Sequence, residues 1–105
     1  MMLIFQFGSL CVAIGDPRFN PGRLKVSPGV KTLEMQGRLF AALYLRRHLN
    51  TDWGDISEAD RLFNDVSLCN DGRLASSYRI ASDITLWIIT EADRSVTTIR
   101  LPDES

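Results

Sequence analysis

The stretch GRLASSYRIASDITLWIIT, residues 72–90, decides the fold class. From Arg73 to Ala81 it alternates, placing Leu74, Ser76, Tyr78 and Ile80 on one face, the period of a strand buried on one side. Ser82-Asp83 supplies the turn formers for a tight connection. Ile84–Thr90 is apolar on both faces and reads as the central strand of a sheet, with Trp87 strongly buried in it. Val96–Leu101 reads as the last strand, ended by Pro102.

Upstream the period changes from two to 3.6. Ser27-Pro28 reads as the cap and first residue of a helix, since proline lacks only an N–H that has no intrahelical partner there. The pattern runs to about His48, with Val30, Leu33, Gly37, Phe40, Ala41 and Tyr44 on the apolar face and Leu43 at its margin. Lys31, Glu34, Arg38, Ala42 and Arg46 lie opposite. Gly37 inside this run suggests close packing against a neighbouring backbone. The segment HLNTDWGDIS, residues 48–57, is turn-forming, with Trp53 expected to be a partly buried plug. A second helix follows from Ser57, with Ala59, Leu62, Phe63, Val66 and Cys69 as its buried stripe and Asn70-Asp71-Gly72 as its end, Gly72 supplying the left-handed turn. These elements predict a single α+β domain over residues 1–105, with two helices packed on a three- to four-stranded, mainly antiparallel sheet.

Two near-identical pentapeptides, SEADR at 57–61 and TEADR at 90–94, lie thirty-three residues apart. In the first, Ser57 can cap while Glu58 and Asp60 sit where the helix dipole favours negative charge. The second is expected to form one helical turn capped by Thr90. Their flanks do not align, so both read as local capping rather than as a duplication.

The chain holds 105 residues, 45% hydrophobic and 24% charged, which is globular composition. Cys11 and Cys69 have no Cys or His at ligand spacing, so a reduced, cytoplasmic protein with no metal or cofactor is expected. The opening MMLIFQFGSLCVAIG is too short to span a bilayer and carries no basic residue before Arg18; it reads as strand or core-covering chain, with a targeting segment as the alternative. The net charge of −1 hides an asymmetry: residues 16–47 carry seven basic groups against two acidic, and residues 48–105 five against eleven. The only histidine, His48, precedes Asp52 and Asp55, so an acid–base pair of His48 with Asp52 is an alternative reading. No phosphate loop, nucleophile elbow or catalytic residue set is visible.

The stretches RRHLNTDWGDISEADRLFND, GRLASSYRI and WIITEADRSVTTIRLPDES resemble a family of small bacterial proteins borne by plasmids and other mobile elements. The residues that carry the resemblance are His48, Asp52, Trp53, Gly54, Asp55, Asp60, Asn64, Ser77, Tyr78 and Ile89 through Thr98; Thr51 stands where that pattern has a glycine. The resemblance implies a mobile-element lifestyle, in which small non-enzymatic proteins bind and block host defence machinery.

The leading expectation is therefore a protein-binding inhibitor of a bacterial defence complex, anti-CRISPR or anti-restriction in type. Its partner would be a basic nucleic-acid-binding groove, occupied by an acidic face built from Asp52, Asp55, Glu58 and Asp65 with Trp53 as aromatic anchor. Part of that charge is helix-dipole compensation, and a plainly solvated face is the competing reading. The runner-up is a nucleic-acid accessory protein using basic residues 18–47, weakened by a pI of about 5.7, and the third reading is a small enzyme centred on His48 and Asp52.

Overall fold

The computed structural model describes residues 3–7, 10–15 and 17–104, the first two segments as backbone strands only. In chain order the elements are β1 (Leu3–Phe7), β2 (Leu10–Gly15), β3 (Arg23–Val26), α1 (Pro28–Met35), α2 (Ala41–Leu49), α3 (Glu58–Asn70), β4 (Leu74–Ala81), β5 (Ile84–Thr90) and β6 (Val96–Arg100). β1 and β2 form an antiparallel pair of their own, and β2 lies against α2. The expected covering of the core by residues 1–15 concerns side chains outside the described residues.

The other strands make one sheet in the order β3-β6-β5-β4. β5 is internal, as its two apolar faces predict, and pairs antiparallel with both β4 and β6. β3 joins β6 in parallel, so the sheet is mixed and the fold is α+β. The core lies on the face of Tyr78, Leu86, Ile88 and Ile99, against which Val30, Leu39, Ala41, Leu45 and Leu49 pack from the α1 and α2 region.

Three helices form where two were expected, because the predicted helix over residues 28–48 is broken. Gly37 adopts a φ of 72°, which an L side chain rarely tolerates. Its N–H bonds to the Glu34 carbonyl and that of Arg38 to the Leu33 carbonyl, the paired closure that ends a helix in a left-handed residue. A side chain at Gly37 would meet nothing, so the glycine is there for its backbone angle and not for close packing. The break resets the helical phase: Ala42 is fully buried, while Phe40 and Leu43 are exposed.

The N-terminal end of α1 is tied to the segment after β6 by one carboxylate. Ser27 Oγ accepts from the Val30 N–H and donates to Glu104 at 2.5 Å. Glu104 also accepts the N–H groups of Gly29 and Leu101. These donors, Ser27 first, hold its carboxyl below the usual carboxylate range.

α3 begins as predicted, with Ser57 Oγ accepting the Asp60 N–H at 3.1 Å. Its left-handed cap is Asp71, φ 55°, one residue before the expected Gly72. The second pentapeptide does not cap. Thr90 ends β5 with its side chain buried, and residues 91–95 form a turn in which Arg94 is left-handed at φ 60°.

The largest departure is the orientation of α3. Ala59, Leu62, Phe63, Val66 and Cys69 face out, and the buried residues are Asn64 and Ser67. The cause is the outer edge of β4, whose unpaired peptide groups need partners. Asn64 donates to the Ala75 carbonyl at 2.8 Å and accepts the Ala75 N–H at 3.2 Å. Arg94 reaches from the 91–95 turn to the carbonyls of Ser67 (3.2 Å) and Gly72 (2.5 Å), fixing the other end of the helix. α3 is thus held by hydrogen bonds rather than by its apolar stripe.

Asn64→Ala is expected to lower stability by about 2–4 kcal/mol, because two partly buried peptide groups lose their partner. Ser57→Ala removes one cap bond and should cost only about 1 kcal/mol. Urea midpoints of the two variants measure the ranking; an Asn64→Ala loss no larger than that of Ser57→Ala would show that the β4 edge does not hold α3.

Candidate protein-binding surface

His48 is fully buried on α2 at the centre of a chain of polar groups. Nδ1 lies 2.6 Å from Ser76 Oγ and Nε2 lies 2.9 Å from Thr90 Oγ1. Thr90 Oγ1 is 2.7 Å from Thr97 Oγ1, which donates to the Pro21 carbonyl at 2.7 Å. A carbonyl only accepts, so the Thr97 proton is committed to Pro21. Thr97 must then accept from Thr90, and Thr90 from His48. The ring therefore carries its proton on Nε2 and accepts at Nδ1 from Ser76. Phe19 and Trp53 present edge contacts to the ring, at 5.4 and 5.6 Å between centroids. Burial, with the positive charge of Arg94 second, pushes His48 down to about 3, so it is neutral near pH 7.

No pair of His48 with Asp52 forms. Asp52 takes the Arg47 guanidinium at 2.7 and 3.3 Å. That guanidinium lies 4.8 Å from the Tyr78 ring centre, and the Tyr78 hydroxyl donates to the Asp52 carbonyl. Among the described residues, no group of three or more His, Cys, Asp or Glu side chains is placed to hold a metal ion. No helix among them is long and apolar enough to cross a membrane.

The five residues expected to meet a partner divide by position. Trp53 is 1% exposed, stacked on Phe19 with its Nε1–H donating to Asp65 at 3.1 Å. The expected half-exposed anchor is thus corrected. Its loop is drawn onto β4, where the Ser77 N–H bonds to the Trp53 carbonyl and the Ser77 carbonyl accepts the Asp55 N–H. Gly54 makes this approach possible, since its φ is 80° and a Cβ there would lie 2.3 Å from the Ser77 carbonyl oxygen. Asp55 caps the Arg79 N–H at 2.8 Å, completing the covered edge. Glu58 remains in solvent, 3.8 Å from Arg61. Asp52, Asp55 and Asp65 thus have internal partners while staying exposed, and Glu58 and Asp65, seven positions apart, line one flank of α3's outward face.

That outward face is the distinctive surface of the molecule. Leu62 is 65% exposed, Phe63 63% and Val66 50%. Adjoining it, α3 and the sheet's second face enclose a groove of about 530 Å³ lined by Asp55, Asp60, Phe63, Arg73, Ala75 and Trp87, among others. Trp87, expected in the core, is only half-buried and lines this groove, because the helices cover the opposite face of β5. The Arg100 guanidinium stands 4.9 Å from its ring centre.

Compared with protein-family models, with curated proteins and with solved structures, the chain matches none. The surface is therefore defined by its own geometry. Of the groove residues the sequence names Asp55 alone for the partner face and assigns Phe63 and Trp87 to the core, although Arg61, Asn64 and Ser67 recur every three positions and mark a polar side of α3 as regular as its apolar one.

The buried histidine gives a pH dependence with a definite sign. The unfolded chain takes up a proton on His48 near pH 6.5, and the folded chain does not until about pH 3. Stability is fully present above the unfolded value and falls as pH drops, by about 1.4 kcal/mol per pH unit. Urea unfolding at pH 7.5, 6.0 and 5.0 should show this slope in the native chain and its loss in His48→Gln. Equal slopes in the two chains would place the acid sensitivity elsewhere.

Proposed function

We propose that the chain is a non-enzymatic protein-binding protein that inhibits a bacterial defence complex, anti-CRISPR or anti-restriction in type. The observation that carries the binding role is the outward apolar stripe of α3. A surface helix ordinarily turns its polar side to water, and a contiguous exposed apolar patch with a polar rim is the mark of an interaction site. Here the polar side is consumed by the edge of β4, which leaves Leu62, Phe63 and Val66 available.

The flank formed by Glu58 and Asp65 sets the chemistry of the partner: an apolar seat with a basic rim. Two α3 helices packed antiparallel on these stripes would bring their acidic flanks together, so a second copy of α3 is a poor occupant. A nucleic-acid-binding groove of a defence complex has the required basic rim, and the resemblance to mobile-element proteins supports that class of target. The nucleic-acid alternative is weakened because Arg38 and Arg47 of the basic segment are paired with Asp83 and Asp52.

The test is phage plating on hosts carrying single CRISPR or restriction systems. Expression of the native chain is expected to raise plating efficiency on at least one. The double variant Leu62→Ser/Val66→Ser, altered only at exposed positions, should abolish the effect with an unchanged urea midpoint. Glu58→Lys should weaken capture of the same complex about three- to tenfold at low salt, the difference closing as salt rises. No protection by the native chain on any host overturns the defence reading. Protection by the double variant overturns the α3 surface.

A further inference from the structure

The groove beside α3 has a shape and a charge order that the outward stripe does not share. Its floor includes Ala75 and Ser77, small residues on the β4 face turned away from the core. Asp60, Phe63 and Asn64 of α3 form one wall, and Trp87, with Arg100 over its ring, forms the other. Two aromatic side chains thus stand on either side of a floor that has almost no side-chain bulk.

Carboxylates mark one end of the groove and Arg73 the other, with Arg100 across β5 at the level of Ser77. Ser77 is bonded to the 53–55 loop, which sets Asp55 at one end. Asn64 lies at Ala75 and the α3 C-terminal turn runs directly into β4, so helix and strand are antiparallel. Asp60 therefore sits toward the Asp55 end, and Arg73 occupies the other. Four residue steps from 73 to 77 span about 13 Å along a strand.

These dimensions select the occupant. A floor of two small residues one strand wide suits an extended chain laid along it better than a helix, about 10–12 Å across with its side chains. Carboxylates at one end repel a polyanion along the groove, which disfavours nucleic acid.

We infer that this groove binds an extended peptide segment of about four residues in the partner, carrying a basic group at the Asp55–Asp60 end, a large apolar side chain between Phe63 and Trp87, and a carboxylate at Arg73. The inference rests on the reading of the chain as a protein-binding protein and adds to it a second, sequence-selective contact. Phe63, which belongs to both the stripe and the groove wall, joins the two surfaces.

The experiment is selection of a displayed heptapeptide library on the immobilised full chain, followed by titration of the enriched peptides as synthetic compounds. Enrichment of basic, then aromatic or large aliphatic, then acidic residues is expected. Binding should shift the emission of Trp87, with Trp53 buried and insensitive. Ala75→Leu, which fills the floor from an exposed position, should weaken binding at least tenfold while leaving the urea midpoint unchanged. Arg73→Glu should do the same for acid-ended peptides and regain affinity for peptides whose acidic residue is exchanged for lysine. Absence of enrichment over a blank surface, or enriched peptides indifferent to both Ala75→Leu and the charge exchange, overturns the inference. If that happens while Leu62→Ser/Val66→Ser still abolishes phage protection, the function stands and the groove falls. Selective peptide binding without protection on any host leaves the groove and removes the defence reading.

Discussion

The outer edge of β4 sets the constraint from which the rest of the molecule follows. An edge strand presents N–H and C=O groups that must find partners or remain open to other chains. Here Ala75 is satisfied by the Asn64 side chain, Ser77 by the backbone of Trp53 and Asp55, and Arg79 by the Asp55 carboxylate. Three consecutive outward positions are thus covered by three different devices. Covering them with Asn64 requires the polar side of α3 to face the sheet. Once that side faces in, the apolar stripe has nowhere to go but out. The surface that recommends the protein as a binder is the geometric remainder of closing one strand edge.

A second polar system, on the core face of the sheet, holds the helical layer in place. The hydrogen-bonded line from Ser76 through His48, Thr90 and Thr97 to Pro21 crosses β4, α2, β5 and β6 and ends in the segment before β3. His48, Thr90 and Thr97 each have one partner on either side that their chemistry allows, so the line has a single proton direction. Such a network is well suited to fixing register, because sliding any strand by one residue would leave a buried hydroxyl or ring nitrogen unpaired. Packing from Phe19 and Trp53 seals it.

The sequence made the sheet legible and the helices misleading. The alternation over 73–81 and the doubly apolar ITLWIIT run named β4 and β5 and placed β5 inside the sheet, because strand period and burial report the same fact. For α3 the two reports conflict. Leu62, Phe63 and Val66 look like a core stripe, and only the three-dimensional position of the β4 edge shows that Asn64 and Ser67 have a stronger claim on the interior. Gly37 was legible as an anomaly but not as a helix end, since glycine serves close packing and left-handed termination alike. Thr90 and Ser57 show the same limit: two similar pentapeptides take one role on a helix and another in a turn because Thr90 faces a buried histidine. Of the four acidic residues named from the sequence for the partner face, Asp52 is paired with Arg47, Asp55 caps Arg79 and Asp65 holds Trp53, the intended anchor.

The parallel pairing of β3 with β6 has a consequence for how the chain is made. Residues 23–26 find their strand partner only in residues 96–99, and α1 is capped in part by Glu104, 77 positions after Ser27. The β4–β5 hairpin closes locally, but β3 and α1 must wait until nearly the whole described chain has left the ribosome. Such non-local closure slows folding relative to a helical domain of this size. During synthesis Leu24 and Val26 of β3 stay without their partner strand until β6 has emerged, so the newborn chain presents them to chaperones and proteases until then.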